Sequence, residues 1–559
     1  MKRLALLAGL AVLLSAGSAA AQGSIAGTIT GPDGKPLRAV FVRAEHTANA
    51  NVDEMRGSEG THKTTSVLSN SQGQFIVDGL EPGSYNVWTW SIGYRGAPAR
   101  MNVAVQQGQT AKAAFTMRAA PVQWHELSKA QAAVLLPEAP GRERFMTSCM
   151  NCHGMGQISG RRDYDGWIDA MDGMRRRGIT TVNPQVADEV AKYLAAVLGP
   201  DSKTPQSPQE LPAWKDVQIQ WSDDALNIVY VDYPVGQGTN RPGTGYPDKA
   251  GNVWMEMENG VARIDPKTGQ STLWQMPAGQ GGGVHEVLPL PDGSVWLTVT
   301  SANKLARFNS RTQDFEIYAD PYKAPRVKQV DPNTPIFAQP KPQPGEGVLG
   351  RKHTAVVDHE GNIWASGRPL VKFNPKTKEW KAFPEVPDLY GIAVDQAGNV
   401  WFAEFNAAET GSIGKVDPKT DKVTKYTPPP DIHNGRPRRL KVDSKGNIWF
   451  AQYFNASIAK FEPKTEKFTV YKLPGPYPTI YGLGVDAKDN IWGVSHFNEA
   501  TYRIDPSGKV VAYPSPYISR GTRDMWVDAQ GRMWYGVQPE FKVGYLYIRE
   551  QRSPMTAQR

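Results

Sequence analysis

The sequence predicts a mainly β chain in three parts: an N-terminal β-sandwich, a small all-α domain and a C-terminal seven-bladed β-propeller. Three observations lead there. Trp254, Trp296, Trp364, Trp401, Trp449, Trp492 and Trp534 recur, mostly at about forty residues, the length of a propeller blade. Short alternating strands separated by Gly, Pro and Asn turns fill the residues before 120. Between these regions, helical periodicity surrounds Cys149-Met150-Asn151-Cys152-His153.

The chain starts with a basic Met1-Lys2-Arg3, an apolar run from Leu4 to Leu14, and Ala19-Ala20-Ala21 before Gln22. Residues 1–21 read as a secretory signal peptide, which predicts a periplasmic protein. The apolar run is too short for a comfortable membrane span, and no later stretch approaches it, so no transmembrane segment is expected in the mature chain. The formal net charge of the 559 residues is +8, thinly spread apart from clusters such as Arg175-Arg176-Arg177. No basic stripe interleaved with aromatics is present, which argues against nucleic acid. The two cysteines both lie in one motif, so no disulfide framework holds the chain and ordinary apolar cores must.

Residues 24–118 carry strands such as Ser24 to Ile29 and Ala39 to Arg43, punctuated by Pro32-Asp33-Gly34-Lys35-Pro36, Asn70-Ser71-Gln72-Gly73 and Glu81-Pro82-Gly83. This spacing suggests a small sandwich. Gly27-Thr28-Ile29, Gly34-Lys35-Pro36-Leu37, Gly73-Gln74-Phe75 through Gly79-Leu80-Glu81-Pro82-Gly83-Ser84-Tyr85, and Gly93-Tyr94 together resemble the carboxypeptidase regulatory-like family. The resemblance implies a prealbumin-like sandwich without chemistry of its own, a spacer or docking module.

Residues 135–198 read as three helices, Gly141 to Met150, Asp165 to Arg177 and Val186 to Val197. Cys149-Met150-Asn151-Cys152-His153 is C-x-x-C-H, the attachment motif of a c-type haem. Cys149 and Cys152 would carry thioether links, and His153, one helical turn from Cys149, would ligate iron. A zinc site needs four ligands, and no second Cys/His pair follows at finger spacing. The segment resembles a minimal class I cytochrome c. That resemblance places Trp167 in the haem pocket and gives the distal iron position to Met174, through Trp167, Met174 and Gly178 in a Trp-x6-Met-x3-Gly stretch, with Met171 as the alternative on the same face. Residues 199–214 hold four prolines and read as a semi-rigid linker.

Residues 215–550 repeat a unit D-x-x-G-N-(V/I)-W followed by a strand and (I/F)-(D/N/E)-P-K-T. Val217 to Gln220 and Ile228 to Val231 are expected to complete the last blade and close the ring. A Pro-rich insertion, roughly 319–350, follows the second unit. The position eleven residues before each Trp is Gly243, His285, His353, Tyr390, Arg438, Tyr481 and Arg523. Inner strands line the central channel, so these side chains should ring one mouth. Three residues after the Trp come Met257, Val299, Gly367, Glu404, Gln452, Ser495 and Val537, and the next position adds Glu258, Arg368 and His496. The ring reads either as a small-molecule or partner site or as a wet channel bridged by water.

Gly398-Asn399-Val400-Trp401-Phe402-Ala403-Glu404 and the similar Gly446 to Gln452 resemble the streptogramin B lyase family of seven-bladed propellers. The lyases combine a channel His with a Glu fourteen residues later. Here that distance from His353 reaches Gly367, that from His285 reaches Val299, and Glu404 has Tyr390 at the His position. Two functions follow as expectations. The first is a periplasmic electron-transfer cytochrome, one covalent haem c serving a redox partner protein or a small-molecule electron donor or acceptor, with the propeller binding substrate or partner. The alternative is a lyase-like carbon–oxygen lyase or hydrolase with an accessory haem, in which His285 or His353 is general base and Glu404 an acid or metal ligand.

Overall fold

The computed structural model describes residues 22–47, 63–150, 153–176, 182–235, 242–322, 352–386, 389–405, 411–433, 435–498, 500–518 and 520–549. Residues 1–21, Cys152, Arg177, Gly178 and most of the 319–350 insertion, all named above, lie outside the described residues.

The N-terminal region is a sandwich of two sheets. In one, strand 23–30 lies antiparallel to 74–80 and parallel to 110–119, with 94–97 at the far edge. The other runs 64–68, 41–46, 83–90, 101–105. Inward positions alternate as a half-buried strand requires, so Ile25, Ile29, Val42, Phe75, Val77, Val87 and Phe115 are buried between the sheets. At Gly27 a Cβ would sit 1.5 Å from the Ala113 carbonyl oxygen. The tight approach of these strands therefore requires glycine there.

This second sheet does not end at the sandwich. Strand 64–68 pairs antiparallel with 228–234, Thr64 opposite Asp232 and Ser66 opposite Tyr230. Strand 228–234 is in turn the outermost strand of the last propeller blade. Eight strands thus form one continuous sheet, and one apolar cluster runs from Val42 and Val77 to Val231, Tyr233 and Trp534. The sandwich covers the blade edge that would otherwise offer unpaired backbone groups to another chain.

The propeller has seven four-stranded antiparallel blades. The first six begin with inner strands 246–247, 284–289, 355–357, 392–394, 437–442 and 480–485. The seventh takes 526–527, 533–537 and 542–548 from the C-terminus and 228–234 from before blade one. The ring is closed by this exchange. Only 228–234 takes part in it. Val217 to Gln220 is not a strand, because 212–217 winds into a 3-10 helix begun by Pro212.

The repeat has a physical basis in its aspartate. In blade four, Asp395 Oδ1 accepts the backbone N–H groups of Ala397 and Asn399, and Oδ2 accepts from Asn399 Nδ2 and, at 2.7 Å, from Trp401 Nε1. One carboxylate closes the turn and ties down the buried indole of the next strand. The same Asp-to-indole bond is made by Asp248, Asp358, Asp443, Asp486 and Asp528. Blade two has the shorter Asp292-Gly293-Ser294-Val295-Trp296, and there Asp292 accepts from Ser294 instead.

Helices span Lys129–Leu135, Arg142–Ser148, Met155–Ile158, Tyr164–Arg176 and Pro184–Leu198. Asn183 caps the last of these, accepting from Val186 N, and Pro184 takes the first turn, where its missing N–H costs nothing. The helical unit is larger than 135–198. Val122, Trp124, Leu127 and Val217 share its core with Phe145, Trp167, Met171 and Val190. Residues 199–214 are also not a tether: Trp124 Nε1 donates to Pro205 O, Arg161 donates to Thr204 O, and Trp214 packs on the helical core. Apolar side chains scattered among the prolines escaped a reading based on periodicity. Among the described residues no helix is long and apolar enough to cross a membrane.

Candidate functional site

The inner strands enclose a channel. Across it, Arg439 Nη1 meets Glu286 Oε2 at 2.8 Å and Thr354 Oγ1 at 2.8 Å, with Asp524 at 3.7 Å, and Lys441 holds Asp524 at 2.9 Å. These side chains come from blades two, three, five and seven and form a charged plug. A cavity of about 520 Å³ reaches it from the end carrying the Asp-x-x-Gly-Asn turns.

At the opposite end, where the inner strands begin, side chains from successive blades meet above the plug. The rings of His285 and His353 lie 3.5 Å apart, and those of His353 and Tyr390 3.8 Å apart. The Tyr390 and Tyr481 hydroxyls are hydrogen-bonded to each other. Arg438 Nη2 donates to Tyr390 Oη at 2.9 Å. Its guanidinium sits 3.6 Å from the Tyr481 ring centre, 4.2 Å from Tyr390, 4.4 Å from Tyr453 and 4.7 Å from Phe405. His496 bonds Tyr453 Oη through Nδ1 at 3.1 Å and lies 5.3 Å from the Tyr481 ring. In blade one the equivalent residue is Gly243, where a Cβ would be 2.6 Å from the Arg523 side chain and 2.8 Å from Glu256 Oε1. The gap in the ring is the space that Arg523 occupies.

The electrostatics are unusual in what is missing. Arg438 is 7 % exposed, yet among the described residues no carboxylate pairs with it, and its Nε has no partner. Burial alone would lower its pKa, but Tyr390, Tyr481 and Tyr453 raise it, so the guanidinium stays charged. His285 is pushed well below the ordinary histidine value by burial and then by Arg523, Arg439 and Arg438. His353 is lowered by burial and then by His285 and the same arginines, and His496 by burial and then Lys129. All three are neutral imidazoles. The tyrosines titrate as a pair. Burial disfavours any phenolate, but Arg438, Arg523, Arg439 and the bond from Tyr390 bring Tyr481 below the ordinary tyrosine value, while burial holds Tyr390 above it.

Glu404 does not join this cluster. It is buried, and its carboxylate bonds Ser412 and meets Lys425 Nζ at 2.6 Å, on the third and fourth strands of its own blade. Gln452, the equivalent residue of blade five, bonds Ser457 in the same way. The position three after the Trp thus ties strands together, and Glu404 as acid or metal ligand is corrected to a strand-linking role. Among the described residues no three His, Cys, Asp or Glu side chains are grouped to hold a metal ion. The next position faces the mouth, since side chains alternate along a strand. Phe405 and Tyr453, missed in the sequence, stand there with His496, and aligning that position across all blades would have found them.

In the helical unit, His153 N–H donates to Cys149 O at 3.0 Å, which places the two one helical turn apart. His153 Nδ1 bonds Gln157 Oε1 at 2.9 Å. Trp167 and Met171 are buried, and Met174 is partly buried on the same core. The Trp167 indole nitrogen is buried without a partner, and Arg162 lies over its ring at 5.5 Å.

The carboxypeptidase regulatory-like domain family matches residues 24–118, and the virginiamycin B lyase family matches residues 370–553. A streptogramin B lyase structure is 18 % identical, aligns over 59 % of this chain and 100 % of its own, and has a TM-score of 0.48. Virginiamycin B lyase from Staphylococcus aureus is 15 % identical over 58 % of this chain and 100 % of its own, with a TM-score of 0.47. A catalytically inactive form from the same organism with quinupristin is 16 % identical over the same shares, also at 0.47. A comparison with curated proteins gave no match. Neither family match extends over 135–198, and the one on the propeller is to a lyase family, which corrects the expectation of an electron-transfer protein. Residues 24–118 are a carboxypeptidase regulatory-like domain, and the C-terminal propeller carries a virginiamycin B lyase-like segment.

Proposed function

We propose that this chain is an exported carbon–oxygen lyase whose reaction takes place at the channel mouth. The observation that carries the reading is the hydrogen-bonded Tyr390–Tyr481 pair beneath Arg438, which is buried and pairs with no carboxylate among the described residues. An elimination needs a base for a proton on carbon, positive charge where the carbanion's charge develops, and a proton for the departing oxygen. Tyr481, whose hydroxyl Arg438, Arg523 and Arg439 make easier to ionise, is the base once it has lost its proton. Arg438 and Arg523 face the developing charge. Tyr390 returns a proton to the leaving oxygen, and the neutral His285 and His353 orient it by hydrogen bonds. The family's His–Glu pair is not reproduced, so the base is assigned to tyrosine rather than histidine.

The helical unit is proposed to carry one haem c as an accessory. Cys149 and Cys152 would attach it, and His153, with its Nδ1 held by Gln157, would present Nε2 to iron. Met174, or Met171 as the alternative, would supply the second protein ligand to the iron. The partnerless Trp167 N–H fits this group, since a haem propionate is the acceptor it lacks. The haem supplies a redox-active iron, and no step of the elimination runs through it.

Two experiments test the reading. With an ester or glycoside substrate in heavy-oxygen water, a lyase product carries an alkene and no heavy oxygen. Incorporation of heavy oxygen at the cleaved bond would make the protein a hydrolase. Changing Cys149 and Cys152 together to Ala should abolish haem staining after denaturing electrophoresis, and staining that survives would remove the haem.

A further inference from the structure

We propose that this chain binds a short neutral oligosaccharide in a cavity outside the channel, where the sandwich, the helical unit and blade six meet. This site is separate from the elimination proposed above and does not depend on it.

The cavity has a volume of about 480 Å³, within the range of small-molecule sites, roughly 300–1,000 Å³. Each structural unit gives it a wall. Trp90 and Tyr94 come from the sandwich, Ser128 and Gln131 from the start of helix 129–135, and Asn498 from a turn of blade six. Residues 218–221, which lead from the helical unit to the propeller, close the gap between these walls. The units are tied together beside the cavity. Arg38 Nη2 of the sandwich donates to Trp221 O at 3.0 Å, and Ala130 N–H of the helix donates to Phe497 O of blade six at 3.1 Å. None of the residues that ring the channel mouth lines it.

The lining carries no unpaired charge. Arg38 is its one ionic side chain among the described residues, and Asp223 Oδ1 neutralises that guanidinium at 2.7 Å. A charged ligand would lose water here without gaining a counter-ion. What the cavity offers instead is aromatic surface and neutral hydrogen-bonding groups. Trp90 packs against Phe41, and Trp221 against the apolar core between blades six and seven. Both are only half-buried, and both line the cavity.

The polar groups are of both kinds. The indole N–H groups of Trp90 and Trp221 donate only, whereas the Tyr94 hydroxyl and the Gln220 amide donate and accept. Among the described residues none of these groups bonds to protein, and none is sealed from solvent. A sugar presents the matching pair of surfaces. Its C–H face packs on aromatic rings, and its hydroxyls both donate and accept. A Pro-rich peptide would also lie on such rings, but prolyl carbonyls only accept, so the amide oxygens of Gln218 and Gln220 would go unused.

The test is calorimetry of the full-length protein with cello-, xylo-, galacto- and N-acetylchito-oligosaccharides, and with an oligoproline peptide. At least one sugar series should bind saturably at one site. Its affinity should not change with added salt, since no ion pair forms. Trp221→Phe keeps an aromatic ring and removes the N–H, and Gln220→Ala alters an exposed side chain that the fold does not need. Each should weaken sugar binding about threefold to tenfold, the net worth of a lost hydrogen bond. Arg438→Gln, at the channel mouth, should leave the affinity as it is, and Gln220→Ala should leave turnover at the mouth as it is. The two sites are thereby read separately, and loss of either leaves the other standing. Failure of every sugar to bind, binding that salt abolishes, or an affinity that neither Trp221→Phe nor Gln220→Ala weakens would overturn the proposal. So would weakening by Arg438→Gln, or tighter binding of oligoproline than of any sugar.

Discussion

Replacing Arg438 with Met separates a functional arginine from a structural one. The guanidinium has two faces, so only two of the four surrounding rings can meet it face-on, Tyr481 at 3.6 Å and Tyr390 at 4.2 Å. Desolvated cation–π contacts are worth about 2 kcal/mol each, giving roughly 4 kcal/mol in favour of the charge. Against this stands the burial of an ion that no carboxylate among the described residues pairs, an effective cost of several kcal/mol while the tyrosines are protonated. Methionine keeps most of the apolar stem and its contacts with aromatic rings. The balance is near zero, so Arg438→Met should change unfolding free energy by no more than about 1.5 kcal/mol in either direction. The elimination should fall much further, by about a hundredfold to a thousandfold in kcat, the usual loss when one group facing the developing charge is removed. Urea titration followed by tryptophan fluorescence, set beside alkene formation, measures both. A loss of about 3 kcal/mol or more in stability with turnover retained would show that Arg438 holds the fold and not the substrate.

Further outcomes follow from the same physics. Activity should rise with pH, because the tyrosine pair must lose a proton, along a limb below the ordinary tyrosine value; in Arg438→Met that limb should move to higher pH, and an unmoved pH–rate profile would exclude Tyr481 as base. Glu256, raised to about 7 by burial, binds a proton more tightly in the folded than in the unfolded chain. Its contribution is therefore complete at acid pH and lost as pH climbs from the unfolded carboxylate value through about 7. Glu256→Gln should flatten that slope in denaturation curves taken across the window. Asp395→Ala leaves the buried Trp401 indole and two backbone N–H groups without an acceptor and should cost about 2–4 kcal/mol by chemical denaturation. Deleting residues 22–118 bares strand 228–234 as an edge, and light scattering should then report self-association.

The propeller was legible because its repeat is chemical as well as hydrophobic. In six of the seven blades the aspartate that closes the inner turn also accepts the indole N–H of the following strand, so a short motif carries both a turn and a core residue. Equivalent positions of such a ring are related by rotation, and alignment eleven residues before each Trp therefore picked out side chains that meet in space. Alignment does not tell which face a residue takes. Glu404 and Phe405 are neighbours on one strand, and alternation sends Phe405 to the Tyr390 and Arg438 rings and Glu404 to Ser412 and Lys425. The chemistry of a carboxylate drew attention to the wrong one of the two. The pairing of strand 64–68 with 228–234 was not legible at all. It joins residues far apart in sequence through backbone groups, which any side chains of suitable alternation would allow.

That pairing has a consequence for the site. Because the sandwich and the seventh blade share one sheet and one apolar cluster, the segment between them is fixed at both ends. The helical unit lies within that segment and is brought against the channel mouth. Ala130 N–H donates to Phe497 O at 3.1 Å, and the buried Lys129 places its ammonium 5.5 Å from the Phe497 ring. Lys129 is also one of the charges that keep His496 neutral. One wall of the mouth is thus supplied by a helix outside the propeller, at a place where a free-standing propeller would be open to solvent. A unit that takes no part in the proposed elimination thus shapes the electrostatics of the mouth, through Lys129 beside His496.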